Sequence, residues 1–495
     1  MFFLSSIMSL KTMKSPESGD RLIIVSNREP CIHERNKRNK YSIPTGGLVS
    51  ALNPVMSSCH GLWVAWGSGR GDFKVVDEEN RIGVPPEDPA YVLKRVQLGK
   101  EEVEGFYHGF SNSIMWPICH SFISKVEFKP EYWNQYQRVN QKFSQAVNSE
   151  IVDLKRDYIW VHDYHLSLVP GYIREKNSEA RISFFWHVPW PPWEMFGRLP
   201  WRRDILKGLL NCDLIGFQTE SHLRNFLDSV RRGTNAYVDE KKRFIRVNDR
   251  EIHVDDFPIG IDFDKFNCFH RNEKKINASD DLMDEFNGLK IILGVDRLDY
   301  TKGILHRLEA YQRFLEKYPI YQGGVIFLQI MNPSRWRVNE YQKMKKSVEA
   351  AVGRINGKFS RVDWTPIKYF YRKFSQEQLM YYYHISDVAL ITPLIDGMNL
   401  VAKEFLATNK DKGMLVLSEF AGAAGQLNKS ILVNPYDCEG MADSIKQALE
   451  MPEKEKRIRC HHMKNIIEDM DIVWWLDNFF GSWARVYDAE SMDFG

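Results

Sequence analysis

Short apolar runs, each followed by a loop, give this chain its clearest structural signal. They have the length and composition of buried strands and fall at residues 22–25, 158–161, 182–186, 214–217, 291–295, 325–330, 388–391 and 414–417. Helical patterns such as 303–318 and 340–355 lie between them. Strands that are apolar on both faces and alternate with helices favour parallel sheets, so we predict an α/β fold with doubly wound domains.

The runs fall into two groups, separated by a polar segment at 267–284 that follows the sequence PIGID at 258–262. A chain of 495 residues is too long for one compact core. We therefore predict two Rossmann-like domains, over 21–264 and 265–470, that face each other across a cleft. Ligands of such sheets bind beyond the carboxyl ends of the strands. Residues 1–20 are expected to form a disordered extension.

The composition narrows the classes of partner. A hydrophobic content of 43% and a charged content of 27% are typical of a globular protein. The net charge of +2 gives no basis for a nucleic-acid-binding surface. No apolar run approaches the ~18 residues of a transmembrane helix, and the apolar start of the chain lacks a basic leader. We expect no nucleic-acid or membrane partner, while the oligomeric state, a homo-oligomer included, stays open.

The cysteines are scattered, at positions 31, 59, 119, 212, 268, 438 and 460. They form no C-x-x-C pair, whereas metal sites and disulfide frameworks need clustered residues. The sequence therefore predicts no metal site and a reducing, cytoplasmic location.

Two segments carry the candidate chemistry. The segment 294–303 (GVDRLDYTKG) places Arg297 and Lys302 where an apolar run ends, and 396–405 (DGMNLVAKEF) joins a glycine-containing turn to a helical pattern with Glu404. An arginine fork and a lysine point charge can together neutralise a diphosphate. The N–H groups of a helix start can hold phosphate oxygens, and Glu404 can accept from ribose hydroxyls. Either segment alone fits a surface loop or an ordinary helix cap, but together they predict a nucleotide-diphosphate clamp.

Further segments occur in a defined order: VSNR at 25–28, GGL at 46–48, FYHGFSN at 106–112, WVHDYHL at 160–166, FWHVP at 185–189, NPSR at 332–335, GRING at 353–357 and SEFAGAA at 418–424. With the two segments above, they resemble the retaining nucleotide-sugar glycosyltransferases of the trehalose-6-phosphate synthase family, over roughly residues 21–475. The resemblance implies a GT-B architecture. It also implies that the tail, 471–495, forms a helix that crosses back to the first domain.

For the donor, the resemblance implies a nucleoside diphosphate glucose, with UDP-glucose expected. Arg297 and Lys302 would bind the diphosphate, Asp396 the glucose hydroxyls and Glu404 the ribose. The other predicted donor-binding residues lie in a glycine loop, beside the base and along the helix start: Gly46, Gly47, Phe374, Gly397, Met398, Asn399, Leu400, Val401, Ala402 and Lys403. Taken alone, the two loop glycines fit a plain turn and Phe374 fits a core residue.

For the acceptor, the resemblance implies glucose 6-phosphate. Its predicted binding residues are Arg28, Trp66, Tyr107, Trp116, Asp163 and Arg335. Arginines and a tyrosine hydroxyl suit a sugar phosphate, an aspartate suits the hydroxyls near the reacting oxygen, and a tryptophan offers a flat wall for a sugar face. His187 would lie against the donor sugar, although a core histidine would look identical in the sequence.

The implied mechanism is front-face transfer with retention, in which the leaving β-phosphate takes the acceptor proton. The protein then contributes positioning and charge neutralisation, without a cofactor or a D-x-D metal motif. The predicted catalytic residues are His187, Arg297, Lys302, Asp396 and Glu404.

The positions that depart from the family pattern are Trp336, Ile395, Gln426 and Trp474. None of them removes an assigned substrate residue. The alternative activity is a glucosylglycerol-phosphate synthase using glycerol 3-phosphate, against which Arg28 and the 46–47 glycines argue. A carbocyclic transferase or a catalytically silent relative is disfavoured because Asp396 and Glu404 are intact.

Overall fold

The computed structural model describes residues 20–34, 40–44, 47–286, 288–334, 339–409 and 411–490. They form two compact units, one comprising the chain up to Pro258 and from Trp475 onward, the other Ile259–Trp474. The chain passes from the first unit to the second between Pro258 and Ile259, earlier than the boundary predicted at 264/265. The difference arises because the residues from Ile259 onward pack in the second unit. There, the Ile472 N–H donates to the Ile261 carbonyl (3.0 Å). The predicted extension, 1–20, lies outside the described residues except for Asp20.

The first unit is built on a ten-stranded sheet. Its strands are β1 (Arg21–Arg28), β2 (Leu62–Trp66), β3 (Arg81–Val84), β4 (Tyr91–Val96), β5 (Asp157–His162), β6 (Arg181–Phe185), β7 (Leu214–Phe217), β8 (Tyr237–Asp239), β9 (Phe244–Val247) and β10 (Arg250–Asp256). They lie in the order β3-β4-β2-β1-β5-β6-β7-β10-β9-β8. The central strands from β4 to β10 are parallel, and antiparallel strands close both edges.

Helices follow β1, β4, β5, β6 and β7 in this unit. They are α1 (Gly47–Cys59), α2 (Lys100–Glu102), α3 (Trp116–Cys119), α4 (Pro130–Asn148), α5 (Val169–Arg174), α6 (Trp193–Phe196), α7 (Arg202–Leu209) and α8 (Glu220–Gly233). A π-helix, Val103–Met115, joins α2 to α3. Consecutive β1 residues, Ile23, Ile24 and Val25, are all fully buried, as expected for a central strand covered on both faces.

The second unit is built on a six-stranded, wholly parallel sheet. Its strands are β11 (Lys290–Arg297), β12 (Val325–Asn332), β13 (Ile367–Tyr371), β14 (Val388–Ile391), β15 (Met414–Ser418) and β16 (Ile431–Val433). They lie in the order β13-β12-β11-β14-β15-β16. The helices are α9 (Phe263–Asn267), α10 (Glu273–Asp284), α11 (Ile304–Lys317), α12 (Asn339–Phe359), α13 (Gln376–Ile385), α14 (Leu400–Thr408), α15 (Cys438–Glu450) and α16 (Glu453–Asp469). A further helix, α17 (Ile472–Glu490), begins in this unit and continues in the first. Parallel sheets in two units confirm the predicted α/β fold class.

Helix α17 packs on the first unit from Trp475 onward. The Trp475 indole donates to the Phe257 carbonyl (3.2 Å), and its ring lies 5.4 Å from that of Trp160. Near the other end, the Tyr487 hydroxyl donates to Asp213 (2.8 Å). The helix therefore packs on strands β5 and β6 of the first unit's sheet.

None of the helices within the described ranges is long and apolar enough to span a membrane.

Candidate active site

In the second unit, the predicted diphosphate-binding cations lie at a strand end. Arg297 is the last residue of β11, and Lys302 ends the short 3₁₀ turn Tyr300–Lys302. Gly303 follows with a φ of 65°, and a Cβ there would lie 2.3 Å from the Thr392 carbonyl oxygen. Only glycine fits this left-handed, crowded position, so it fixes where Lys302 leaves the turn.

Lys302 and Asp396, predicted for the diphosphate and the sugar, contact each other directly. The Lys302 ammonium lies 2.5 Å from Asp396 Oδ2, and the two side chains are 13% and 16% exposed. The Asn399 amide donates to the same carboxylate oxygen (3.0 Å). An ammonium has three donors, so this pair orients Lys302 while further donors can reach a ligand.

A fully buried arginine, not predicted from the sequence, supports this turn. Arg307 Nη1 lies 2.5 Å from Asp296 Oδ2, and its Nη2 donates to the Lys302 carbonyl (3.2 Å). Its Nε donates to Thr392 (3.1 Å). The signal available in the sequence was an arginine on the face of the helix that Ile304 and other apolar residues line.

The loop after β14 leads to the amino end of α14. Asn399 caps this helix with a φ of 83°, and its side chain accepts from the Ala402 N–H (3.2 Å). Leu400 and Val401 are the first helical residues, whose N–H groups have no acceptor within the helix. Their predicted role as backbone donors fits this geometry, whereas the Ala402 N–H is used by the cap.

Three other predicted residues of this segment, Gly397, Met398 and Lys403, contact the surrounding protein. Met398 is 4% exposed, and its carbonyl accepts from the Ala423 N–H (2.8 Å). A Cβ on Gly422 would lie 2.0 Å from the Gly397 carbonyl oxygen, so the two loops pack backbone to backbone. The Lys403 ammonium is buried and donates to the Ile259 carbonyl (2.7 Å), and burial lowers its pKa to about 7. The Lys403 side chain is therefore directed away from a ligand.

Glu404 remains half-buried one turn into α14. The Tyr383 hydroxyl donates to its Oε2 (3.0 Å), which fixes the carboxyl group. Burial raises the pKa of Glu404 to about 7, against the opposing effect of that hydrogen bond. The carboxylate therefore changes charge close to neutral pH.

Phe374 packs in an aromatic group after β13. It is 4% exposed, its ring centroid lies 5.7 Å from that of Tyr382, and the Arg372 guanidinium stands 4.7 Å from it. In this arrangement Phe374 is a core residue, and its place beside the base stays a prediction.

In the first unit, four predicted residues lie at the ends of four neighbouring strands. Trp66 ends β2, Arg28 ends β1, Asp163 follows β5 and His187 closely follows β6. Carboxyl ends of adjacent parallel strands meet at one sheet edge, so these side chains cluster there. The register of β1 and β2 shifts between Ser26 and Arg28, and a bulge of this kind re-aims the side chain at its end.

Tyr107 and Trp116 come from the π-helical segment and its junction with α3. The Tyr107 ring lies 5.4 Å from that of Trp66, and the Trp116 ring lies 5.9 Å from that of Tyr164. The Asn112 amide donates to the Tyr107 carbonyl five residues earlier (2.6 Å), which fits the wider π-helical turn. The structure thus brings Tyr107 against the predicted acceptor tryptophan.

Asp163 has a left-handed backbone conformation. Its φ is 72°, and its N–H donates to the Phe185 carbonyl on the neighbouring strand (2.8 Å). Its Oδ2 lies 3.9 Å from His165 Nδ1. A non-glycine residue at positive φ is a local strain that is often found at functional sites.

His187 is held between two polar side chains. Its Nε2 lies 3.1 Å from His162 Nδ1, and its Nδ1 lies 3.4 Å from the Gln218 amide. Burial lowers the pKa of His187 to about 3. The imidazole is therefore neutral at physiological pH, which leaves it hydrogen bonds and shape as its means of contact with a ligand.

The sequence did not identify His162 or Gln218 as partners of His187, because neither residue is close to it along the chain.

Two predicted site residues, Gly46 and Arg335, lie outside the described residues, as does Trp336. Gly47 is the first residue of α1. Within the described ranges, no group of three His, Cys, Asp or Glu side chains is arranged to hold a metal ion.

The chain matches the model of glycosyltransferase family 20 over residues 20–485. It is 40% identical to a bifunctional trehalose-6-phosphate synthase/phosphatase of Thermoproteus tenax, covering 93% of this chain and 63% of that protein. It is 38% identical to the UDP-forming α,α-trehalose-phosphate synthase of Schizosaccharomyces pombe, covering 97% of this chain and 93% of that protein.

The chain is also similar in sequence and fold to solved structures. One, an E. coli protein described as bound with UDP-2-fluoro glucose, is 34% identical with a TM-score of 0.84, over 94% of this chain and 98% of that one. Another, an α,α-trehalose-phosphate synthase from Burkholderia xenovorans in complex with glucose-6-phosphate, is 32% identical with a TM-score of 0.83, over 94% of this chain and 100% of that one. On its sequence and its fold, this chain belongs to glycosyltransferase family 20.

Proposed function

We propose that this protein is an α,α-trehalose-6-phosphate synthase. It transfers glucose from a nucleoside diphosphate glucose, with UDP-glucose as the expected donor, to glucose 6-phosphate with retention of configuration. The observation that carries the proposal is the Lys302–Asp396 ion pair, together with Arg297 at the end of β11 and Asp396 in the loop that leads into α14. The synthase relatives and the two ligand-bound structures support the same substrates.

The second unit supplies the donor chemistry in this proposal. Arg297 and Lys302 neutralise the diphosphate as its bond to the sugar breaks, which is the preorganised electrostatic contribution. Asp396 holds the glucose hydroxyls while it orients Lys302, and Glu404 accepts from the ribose. The N–H groups of Leu400 and Val401, which have no acceptor within the helix, add fixed partial positive charge at the helix start.

The first unit supplies the acceptor chemistry. Arg28 and the Tyr107 hydroxyl bind the phosphate of glucose 6-phosphate, and Asp163 binds hydroxyls near the reacting oxygen. Trp66 and Trp116 provide apolar walls for the sugar. Arg335 remains a predicted phosphate ligand on the strength of the sequence resemblance.

The acceptor proton passes to the leaving β-phosphate. His187 is a poor general base because a group with a pKa of about 3 has little affinity for a proton at neutral pH. Its partners hold the ring in one orientation, which suits a contact with the donor sugar. The proposal therefore assigns His187 to positioning of the sugar and needs no ionising side chain.

The proposal includes no cofactor, because Arg297 and Lys302 supply the two positive charges that the leaving group requires.

We also propose a cytoplasmic location, supported by seven cysteines that are all free thiols.

A donor-by-acceptor grid tests the proposal. Purified protein is incubated with UDP-, GDP- or ADP-glucose and with glucose 6-phosphate, glycerol 3-phosphate or glucose, and products are identified by mass. We expect a disaccharide monophosphate with glucose 6-phosphate and almost no product with glucose. A preference for glycerol 3-phosphate would identify a glucosylglycerol-phosphate synthase instead. The Lys302→Ala variant serves as the control for contaminating activity.

A further inference from the structure

The first unit contains a buried polar network that the proposed chemistry does not use. It consists of Glu29, Cys31, His33, Asp72 and Arg95, here called the Arg95 cluster. The Arg95 and Glu29 side chains are 0% and 1% exposed, and those of Asp72 and His33 are fully buried. Two carboxyl groups thus share one guanidinium away from water.

Arg95, near the end of β4, is the centre of this network. Its Nε donates to Glu29 Oε2 (2.9 Å), its Nη1 to the Asp72 carbonyl (2.9 Å) and its Nη2 to the Cys31 carbonyl (2.7 Å). Nη2 also lies 3.1 Å from Asp72 Oδ1 and 3.0 Å from His33 Nδ1. One side chain therefore holds two segments, residues 29–33 after β1 and residues 68–72 after β2, here called the β1 and β2 loops.

The two carboxyl groups join the same loops to each other. Glu29 Oε1 accepts from the Ser68 N–H (2.7 Å), and Asp72 accepts from the N–H groups of His33 (2.7 Å) and Gly69 (2.6 Å). A Cβ on Gly69 would lie 2.6 Å from the His33 carbonyl oxygen, so the loops are in close backbone contact. The network leaves both loops little freedom to move.

The energetics of this network favour a positioning role over a stabilising one. Burial of charged groups costs free energy that their mutual attraction often only offsets, so an apolar replacement of similar volume can be equally stable. Burial also raises the pKa of Glu29, with a further contribution from Asp72. What the network uniquely provides is directional bonding that sets one loop geometry.

Arg28 directly precedes Glu29, and Trp66 lies two residues before Ser68. Both are acceptor residues in the proposed function. Further along, the backbones of Ile32 and Ser42 are joined by two hydrogen bonds, each N–H donating to the carbonyl of the other residue (2.9 Å each). The residue that follows Arg28, Glu29, is therefore fixed by the Arg95 cluster.

We infer that the Arg95 cluster is a positioning device for acceptor-phosphate recognition, which locks the loops after β1 and β2 so that Arg28 meets the phosphate. This inference rests on the proposed function of Arg28. None of the cluster residues needs to touch a substrate, so they act as positioning residues.

The test compares Arg95→Met, Arg95→Lys and Glu29→Gln with a matched control, Lys94→Met. Lys94 neighbours Arg95 on β4 but pairs with Glu150 (2.6 Å) instead of with either loop. For each variant, KM for glucose 6-phosphate, KM for UDP-glucose, kcat and the melting temperature are measured.

Because small misplacements of positioning groups are costly, we expect Arg95→Met to raise the acceptor KM at least ~10-fold. The donor KM should change less than ~2-fold, and Arg95→Lys and Glu29→Gln should fall between Arg95→Met and the control.

A double variant, Arg28→Ala with Arg95→Met, separates positioning from general destabilisation. If the cluster acts through Arg28, the acceptor KM of the double variant equals that of Arg28→Ala alone, because the two changes share one mechanism. Fully additive effects, or a lowered melting temperature with an unchanged acceptor KM, would overturn the inference. Should Arg95→Met not fold, Glu29→Gln with and without Arg28→Ala gives the same comparison. A wild-type protein inactive with glucose 6-phosphate would instead reject the proposed function.

Discussion

In the second unit two predicted site residues are joined by an ion pair, whereas in the first unit a buried ion-pair network lies in the segments that follow Arg28 and Trp66. Lys302 pairs with Asp396, both only slightly exposed, and the buried Arg307–Asp296 pair lies beneath them. Arg28, by contrast, is exposed at its strand end, and the buried pair of Arg95 and Glu29 begins one residue further along the chain.

This difference predicts which kinetic constant depends mainly on each unit. A charge that is fixed before the reaction stabilises the transition state without reorganisation, so the second unit should dominate kcat. A positive side chain at an exposed strand end contributes mainly to capture of its ligand, so the first unit should dominate the acceptor KM.

The largest effect is expected when Arg297 or Lys302, the cations of the nucleotide-diphosphate clamp, is removed. Lys302→Ala should lower kcat/KM by at least ~10²-fold, because it removes a charge-assisted contact to the leaving group and leaves Asp396 without its ammonium partner. Arg297→Ala should behave similarly. Steady-state kinetics with saturating acceptor measure both.

The control for the clamp is Lys317→Ala, at the end of α11, whose ammonium pairs with Glu439 and Asp443 on the surface. It should change kcat/KM by less than ~2-fold. Near-normal turnover by Lys302→Ala would falsify the clamp assignment.

Removal of Arg28 should affect the acceptor alone. A hydrogen bond to a charged group is worth about 1.5–3 kcal/mol, so Arg28→Ala should raise the KM for glucose 6-phosphate between about 10-fold and about 100-fold. The KM for the donor should be unchanged. Arg224→Ala, on an exposed helical turn where Arg224 pairs with Glu220, is the matched control. A rise in the donor KM of equal size would remove the distinction between the units.

Glu404 should give the donor side a pH dependence. Its pKa is raised to about 7 by burial, so it loses its negative charge as the pH falls through that value. A protonated carboxyl is a weaker acceptor for ribose hydroxyls, so the donor KM should rise severalfold, up to ~10-fold, toward low pH. Measurements between about pH 6 and pH 9 should show this rise in the wild type and a flat profile in Glu404→Gln. Identical profiles for the two proteins would contradict the assignment of Glu404 to the ribose.

The smallest effect is expected from chelation. Because Arg297 and Lys302 supply the positive charge for the diphosphate, added EDTA should change the rate less than ~2-fold. Activity that a chelator abolishes and one divalent ion restores would show that the lysine–arginine clamp is insufficient.

The sequence predicted those parts of the fold that depend on local pattern. Strands β1, β5 and β11 are continuous apolar runs, and the residues that follow such runs were expected at the sheet edge, where Arg28, Asp163 and Arg297 lie. Strand β4 was not predicted, because it alternates exposed and buried residues and its buried face includes Arg95, a charged residue.

The supporting residues could not be predicted, because their partners are distant along the chain. Arg307 reaches Thr392, Arg95 reaches Glu29 and His187 reaches His162 only after the sheets have formed. A buried arginine in an apolar pattern indicates a partner but does not say which carboxylate it will be.

The most direct test of the account is the stereochemistry of the product. Purified protein is supplied with α-linked UDP-glucose and glucose 6-phosphate, and the isolated product is analysed by proton NMR. Retention through proton transfer to the leaving phosphate predicts an α,α-1,1-linked disaccharide phosphate, with both anomeric protons showing the small coupling of an α linkage. A β-configured transferred glucose would contradict the front-face mechanism, and a product linked at any other position would contradict the proposed activity.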